Sequence, residues 1–356
     1  MVVGYALGNR KDQEEDILVL GEDDNKVITY SKALDLVLAT NSEEKKTFTY
    51  QRKESLAVPY STIRVTKSCR TVGAREVLYR GIERPDNDSR VRSTLELWGF
   101  GSYIDYLYAV CELGFLEGLI PVIELGFLRP DEIKHLTEVA AVIRIPLSTM
   151  TDFSTKKRTE AFSKVKLRRQ KNIEWSSKLK FPTSTGFVLG KGGLTNEQKD
   201  FVKTIKKLSD EYGMINEFIV DNFVASSKTR GMEAPTHREM LQAVNYVRSE
   251  LQNDVPIVAP ISKNINKIND FIKAGSTDLG RLFVEGIKDG NDIYNYDVNE
   301  LFESLEKQGF RLQQRFPITK EFIRAEKYSK KLGQVFDSYR YKIKKEAQEK
   351  LKETKA

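Results

Sequence analysis

The feature that most constrains this chain is an alternation. Short apolar, β-branched runs occur at residues 62–66, 76–81, 119–123, 141–145, 185–189, 217–220 and 256–259. Between most of them lie helical patterns: YIDYLYAVCELGFLE, DEIKHLTEVA, NEQKDFVKTIKKLSDEYG, HREMLQAVNYVRSEL and NKINDFIKAG. Strand alternating with helix over about 200 residues implies a parallel sheet with its helices outside, as a barrel or an open doubly wound sheet. The helix ends agree. Thr195 precedes NEQKD with Gln198 three residues on, a capping box, and Gly213 and Gly275 stand where helices close. In such folds ligands gather at the C-terminal ends of the strands, so the residues just after each run are the ones to read for function.

A chain of 356 residues, 40% hydrophobic, is long enough for one large α/β domain or two ordinary ones. No apolar run reaches the roughly 18 residues needed to span a bilayer, because ELGFLEGLIPVIELGFL is interrupted by Glu117 and Glu124. MVVGYALGNRKDQEED turns charged by Arg10 and does not read as a signal peptide, so a cytoplasmic location is expected, with Cys69 and Cys111 as reduced thiols. Residues 1–50, charged and with Ser31 as a helix N-cap before KALDLVLAT, read as an N-terminal extension. Residues 51–325 read as the α/β unit and 326–356 as a basic helical tail.

The net charge of +7 is modest, so its distribution matters more. One basic cluster lies at residues 156–180; the other is the tail, where residues 327–356 carry ten Lys or Arg against four Asp or Glu. Both suit solvated helix faces, and nucleic-acid binding through them is an alternative without a recognised module around it. At the strand ends, TGFVLGKGGLTNEQ places Gly186, Gly190, Gly192 and Gly193 before a helix N-terminus. Such glycines serve tight geometry or close approach to an anion. DNFVASSKTRG and APISKN supply polar loops on the same face. His135 and His237 sit in helical patterns with no second metal ligand at a useful spacing, and no Gly-x-Ser-x-Gly or Gly-Lys-Ser/Thr motif occurs.

From about residue 60 to 323 the chain resembles the radical S-adenosylmethionine subunit of the deazaflavin chromophore (7,8-didemethyl-8-hydroxy-5-deazariboflavin) synthase, the CofG family. The resemblance runs through RSTLELWGFGSYIDYLYAVCELGFLEGLIPVIELGFLRPDEIKHL, KFPTSTGFVLGKGGLTNEQKDFVKTIKKLSDEYGMINEFIVDNF, VPIVAP, AGSTDLGRL and GFRLQQRFPITKEFI. It implies a TIM-type (β/α) barrel, a 4Fe-4S cluster held by a Cys-x3-Cys-x2-Cys loop after the first strand, and S-adenosylmethionine chelated to its open iron. It also places Glu83 and Pro85 after the second strand, where radical enzymes contact the amino end of that cosubstrate, and matches Gly186, Gly190, Asn222, Pro260, Asp278 and Gly280 to family positions.

The departures lie in the chemistry. Counted from Cys69, the partner positions are Gly73 and Glu76, and two cysteines in the whole chain fall short of three. If 62–66 is the first strand, the interval to Glu76 is too short for a crossover helix, so the barrel is expected to be partial or irregular, its first crossover helix missing and Cys69 a remnant of the cluster loop. No metal is expected, nor a 4Fe-4S cluster; S-adenosylmethionine remains a candidate ligand. The leading expectation is a pseudoenzyme that binds a small aromatic or nucleotide-like ligand, or that regulates or scaffolds a partner subunit. The ligand-binding candidates are Glu83, Gly186, Gly190, Asn222, Lys263 and Asp278. Alternatives are an iron-independent enzyme using Glu83, Asn222, Lys263 and Asp278, and a nucleic-acid binder.

Overall fold

The computed structural model describes residues 27–39, 56–71, 73–148, 160–224, 233–251, 255–260, 264, 267–283, 298–339 and 341. Eight parallel strands close into a barrel: β1 (Val27–Ala39), β2 (Glu76–Gly81), β3 (Ile120–Glu124), β4 (Val142–Pro146), β5 (Thr183–Leu189), β6 (Ile215–Asn222), β7 (Ile257–Val258) and β8 (Asp278–Phe283). They follow one another in sequence order around the wall, and β1 closes it by pairing with both β8 and β2. The helices are α1 (Pro59–Thr71), α2 (Ser89–Leu97), α3 (Tyr103–Leu116), α4 (Pro130–Leu136), α5 (Glu160–Lys178), α6 (Asn196–Tyr212), α7 (His237–Glu250), α8 (Ile268–Lys273), α9 (Val298–Lys307) and α10 (Lys320–Arg324). A further helix, α11, covers residues 330–339.

The TIM-type barrel expected from the alternation is present, and three expectations about its beginning are corrected. Residues 27–39, placed in an N-terminal extension with Ser31 as a helix cap, form the first barrel strand. VITYSKALDLVLA alternates buried and half-buried positions and is paired along both edges, and long-range pairing of this kind overrides the local helix signal. Residues 62–66 are not a strand but the middle of α1. Pro59 opens that helix, where its missing N–H costs nothing, and the hydroxyls of Thr62 and Thr66 donate to the carbonyls of Val58 and Thr62 at 3.2 and 2.8 Å, which fits β-branched residues into a helix. The first crossover helix is therefore present and the wall is closed from Ala33↔Glu76 to Ala39↔Gly81.

The N-terminal face is closed by the C-terminal segment. β9 (Arg311–Gln314) pairs with Val27–Tyr30 of β1, on the edge whose upper half belongs to β2. Beyond it, Phe316, Ile318, Phe322 and, from α11, Leu332 and Phe336 pack with Leu78, Ile120 and Val142 from the barrel. The basic tail thus begins as a buried plug; residues 342–356 lie outside the described residues. On the outer surface Tyr79, Val77, Phe187, Phe218 and Phe201 join the helices in the main core. Thr195 and Gln198 form the expected capping box on α6, and Gly213 ends it in the left-handed conformation at φ 57°. Among the described residues no helix is long and apolar enough to cross a membrane.

Candidate functional site at the barrel axis and mouth

Residues paired across a parallel sheet point to the same side, so the register shows which side chains enter the barrel. Ser31 pairs with Arg281, Ala33 with Glu76, Arg144 with Ser184, and Ser184 with Glu217. One side of the lumen is accordingly ionic. Ser31 Oγ donates to Glu76 Oε2 at 2.6 Å, the Arg281 guanidinium is paired with Glu76, and its Nη1 donates to Glu217 Oε1 at 3.1 Å. From below, Arg315, one residue past β9, donates through Nη2 to Glu217 Oε2 at 2.5 Å and to Asp278 Oδ1 at 3.0 Å. Thr29 also donates to Asp278. All three carboxylates are essentially inaccessible, with exposures of 0% for Glu76 and Asp278 and 1% for Glu217. Burial alone would push Glu217 up, but Arg281 and Arg315 outweigh it and lower its carboxyl from 4.5 to about 2. The same carboxylates raise both guanidiniums above the ordinary arginine value, against the opposing effect of burial.

A second layer lies toward the C-terminal ends of β1–β4. Arg80 Nε donates to Asp35 Oδ1 at 2.8 Å, Arg80 faces Glu124 across the β2–β3 register, and Arg144 Nη1 lies 3.0 Å from Glu124 Oε2. Asp35, Arg80, Glu124 and Arg144 therefore run around the wall with alternating sign. Burial would lower Arg80, yet Asp35 and Glu124 raise it. Two donors in these layers, Arg144 Nε and Arg281 Nη2, are buried without a hydrogen-bond partner. The sequence reading missed this belt. Its signal was the period-two placement of Glu76 and Arg80 in an otherwise apolar strand, but Asp35 was hidden by reading β1 as helix.

The sequence candidates divide between mouth and wall. Glu83, just after β2, is at the mouth; it is ion-paired with Arg168 of α5, and its Oε2 accepts from the Phe127 N–H at 3.4 Å. Arg168 also stacks 4.4 Å above the Phe127 ring. Asn222 ends β6 and its Oδ1 accepts from Asn264 Nδ2 at 3.3 Å. Gly190 follows β5 at the same end. Gly186 is in the wall instead, where a Cβ would stand 2.0 Å from the Ile219 carbonyl oxygen, so close backbone approach of β6 accounts for the glycine. Asp278 opens β8 in the lower half of the lumen, neutralised by Arg315 rather than presented at the mouth. Lys263 lies outside the described residues. In the basic cluster, Lys166 pairs with Glu197, Lys178 with Glu174, and Arg169 Nη1 donates to the Leu147 carbonyl at 3.0 Å. At the glycine-rich turn, the Gly192 N–H donates to Glu239 Oε1 at 2.9 Å.

A thiolate-held cluster does not fit the side chains of this chain. The segment that follows the first barrel strand, residues 40–58, contains no cysteine. Cys69 is not at a strand mouth, as was expected, but in the last turn of α1, which leads down to the start of β2. Cys111 is fully buried in α3, a free thiol that burial pushes well above the usual range, the opposite of what a metal ligand needs. Among the described residues no three His, Cys, Asp or Glu side chains are placed to hold a metal ion.

The closed eight-stranded wall with the helices outside it defines a TIM-type (β/α) barrel. The same fold is seen in the crystal structure of HydG, a maturase of the FeFe-hydrogenase, with a TM-score of 0.62 over 88% of this chain and 70% of that one at 10% identity. No protein-family model matches the chain. The 7,8-didemethyl-8-hydroxy-5-deazariboflavin synthase of Methanothermobacter thermautotrophicus is 30% identical over 266 residues, covering 72% of this chain and 79% of that protein. The synthase of Archaeoglobus fulgidus is 27% identical over 326 residues, covering 88% and 97%, and that of Methanococcus maripaludis 30% over 272 residues, covering 73% and 75%. The chain belongs to the 7,8-didemethyl-8-hydroxy-5-deazariboflavin synthase family.

Proposed function

We propose that this chain is a cluster-less member of the family: a pseudoenzyme that binds a small aromatic or nucleotide-like ligand at the C-terminal mouth of its barrel and serves deazaflavin formation as a binding or regulatory protein. The observation that carries this reading is the placement of its cysteines. One lies at the foot of α1, the other is sealed in α3, and the segment after β1 has none. Radical chemistry of this class begins with an iron that thiolates hold open to the cosubstrate, and the chain supplies no such set. The mouth retains the means to bind. Asp35, Arg80, Glu124 and Arg144 give fixed charges of both signs, and the buried, unpartnered Arg144 Nε is a donor for a polar ligand group.

The test is anaerobic reconstitution with iron and sulfide, followed by iron analysis and the broad absorbance near about 400 nm of thiolate-held clusters. No cluster is expected, and a stoichiometric four-iron centre would overturn the proposal. Titration with S-adenosylmethionine and with riboflavin should then reveal saturable binding of one of them, weakened at least about tenfold in Arg144→Met. If neither binds, the ligand half of the proposal falls.

A further inference from the structure

On the N-terminal face, opposite the mouth, a cleft of about 450 Å³ lies between the barrel and the C-terminal segment. That volume falls within the roughly 300–1,000 Å³ of small-molecule sites. Phe181, Tyr212 and Met214 line it from the barrel side and Tyr328 from the other. The barrel wall carries Lys180; the other carries Glu326 and Lys327, and the Lys327 ammonium is already held on the Gly213 carbonyl at 3.1 Å.

Lys180 and Glu326 occupy equivalent and unusual positions. The Lys180 N–H donates to the Ser177 carbonyl at 3.1 Å and the Phe181 N–H to that of Ser176 at 2.9 Å. The Glu326 N–H donates to Ile323 at 3.2 Å and the Lys327 N–H to Phe322 at 2.9 Å. Both are Schellman closures, of α5 and α10, with Lys180 and Glu326 at the C′ position. Their φ values are 58° and 50°, the left-handed region that glycine meets without strain and a side chain does not. Arg84 is the third non-glycine residue with positive φ among the described residues, and its side chain is engaged by Glu132. The side chains of Lys180 and Glu326 make no ion pair with each other or with any other described residue. Two strained positions, where glycine would fit better, thus present opposite charges across one aromatic cleft.

We propose that this cleft binds a small aromatic zwitterion whose ammonium and carboxylate lie at opposite ends of a flat ring. The ammonium meets Glu326, the carboxylate meets Lys180, and the ring lies among Phe181, Tyr212 and Tyr328. A lone anion would face Glu326 and the carbonyl ends of the helices that finish at this face, and a lone cation would face Lys180 and Lys327. The preference of those carbonyl ends for an ammonium is visible in Lys327, whose Nζ donates to the Gly213 carbonyl at 3.1 Å.

The experiment is calorimetric titration of the full chain with 4-(aminomethyl)benzoate, using benzylamine and benzoate as single-charge controls. Saturable one-to-one binding is expected, with each control at least about tenfold weaker. Lys180→Gly and Glu326→Gly should each weaken binding of the zwitterion at least about tenfold while leaving Tm unchanged or raising it, because glycine relaxes the left-handed backbone. The site is refuted by absence of saturation up to about 10 mM, or by glycine variants that bind like the parent chain. Controls that bind as well as the zwitterion refute the ligand class, and a Tm that falls in either glycine variant refutes the strain on which the site rests.

Discussion

Arg315→Met removes a cation that enters the barrel axis from the C-terminal segment. Arg315 is paired with Asp278 and Glu217, and the three side chains are 10%, 0% and 1% exposed. Removing one partner of a buried pair strands the other charge, at a cost of about 3–5 kcal/mol. The Glu217 carboxyl bounds its own part in this loss. It is displaced from 4.5 to about 2, a change worth roughly 3 kcal/mol of folding free energy that Arg281 and Arg315 supply together, with Arg281 the larger cause. The pH dependence follows in sign. A lowered carboxyl stabilises the parent chain above about 4.5, and that stabilisation is lost as pH falls toward about 2. In the variant Asp278 keeps only neutral donors, Thr29 and the Gly280 N–H, and Glu217 keeps Arg281. Because Arg315 supplies part of the lowering at Glu217, the deficit of the variant is fullest above about pH 4.5 and shrinks as pH falls toward about 2. Equilibrium unfolding in urea at about pH 8 and about pH 3 reads both effects. A loss below about 1 kcal/mol at pH 8, or a deficit that grows on acidification, would refute the assignment of these groups as a charged, buried pair.

Three further outcomes test other parts of the structure. Gly186→Ala drives a Cβ into the Ile219 carbonyl and should lower stability by more than about 4 kcal/mol or prevent accumulation of folded protein, as measured by soluble yield and urea midpoint. Arg168→Ala should cost less than about 1 kcal/mol despite its ion pair with Glu83, because the two side chains are 45% and 35% exposed; a larger loss would show that the Phe127 stack carries the contact. Cys111→Ala should destabilise by about 1–2 kcal/mol through lost packing in α3 and leave iron content after reconstitution unchanged, so a drop in bound iron would contradict the reading of its thiol as inert.

How much of this was legible in the sequence depended on whether local signals carried it. Strands β2 to β7 and most of the helices between them were readable because each apolar run is short and those helices have their own boundaries; Thr195 with Gln198 is a complete instruction within four residues. β1 was not readable, because KALDLVLAT carries an equally good helical pattern and only pairing with β2, β8 and β9 decides against it. The reverse error followed at α1, whose threonines suggested a strand until their hydroxyls are seen to bond along the helix. With β1 misplaced, Cys69 looked like the opening of a metal loop. The ionic axis was illegible for the same reason: Glu76, Glu217, Arg281 and Arg315 are separated by as many as 239 positions and meet only when the wall closes.

That separation explains how the fold closes although the segment after its first strand, residues 40–58, contains no cysteine. The forces that close the barrel lie in its wall and floor: paired strands, the arginine–carboxylate axis, and the apolar plug of Phe316, Phe322 and Phe336. Each is fixed by residues of the strands or of the C-terminal segment. A connection after a barrel strand carries function while the wall carries stability, so the residues of that connection can change completely without loss of the fold. The mouth behaves differently from the loop. Asp35, Arg80, Glu124 and Arg144 sit on the strands themselves, half-buried and paired with one another, where apolar residues of similar size could pack as well or better. The proposed binding role is tested there: replacing Arg80 and Asp35 together by Met and Leu should leave folding intact while abolishing ligand binding, and a variant that fails to fold would show that the four charges serve the wall instead.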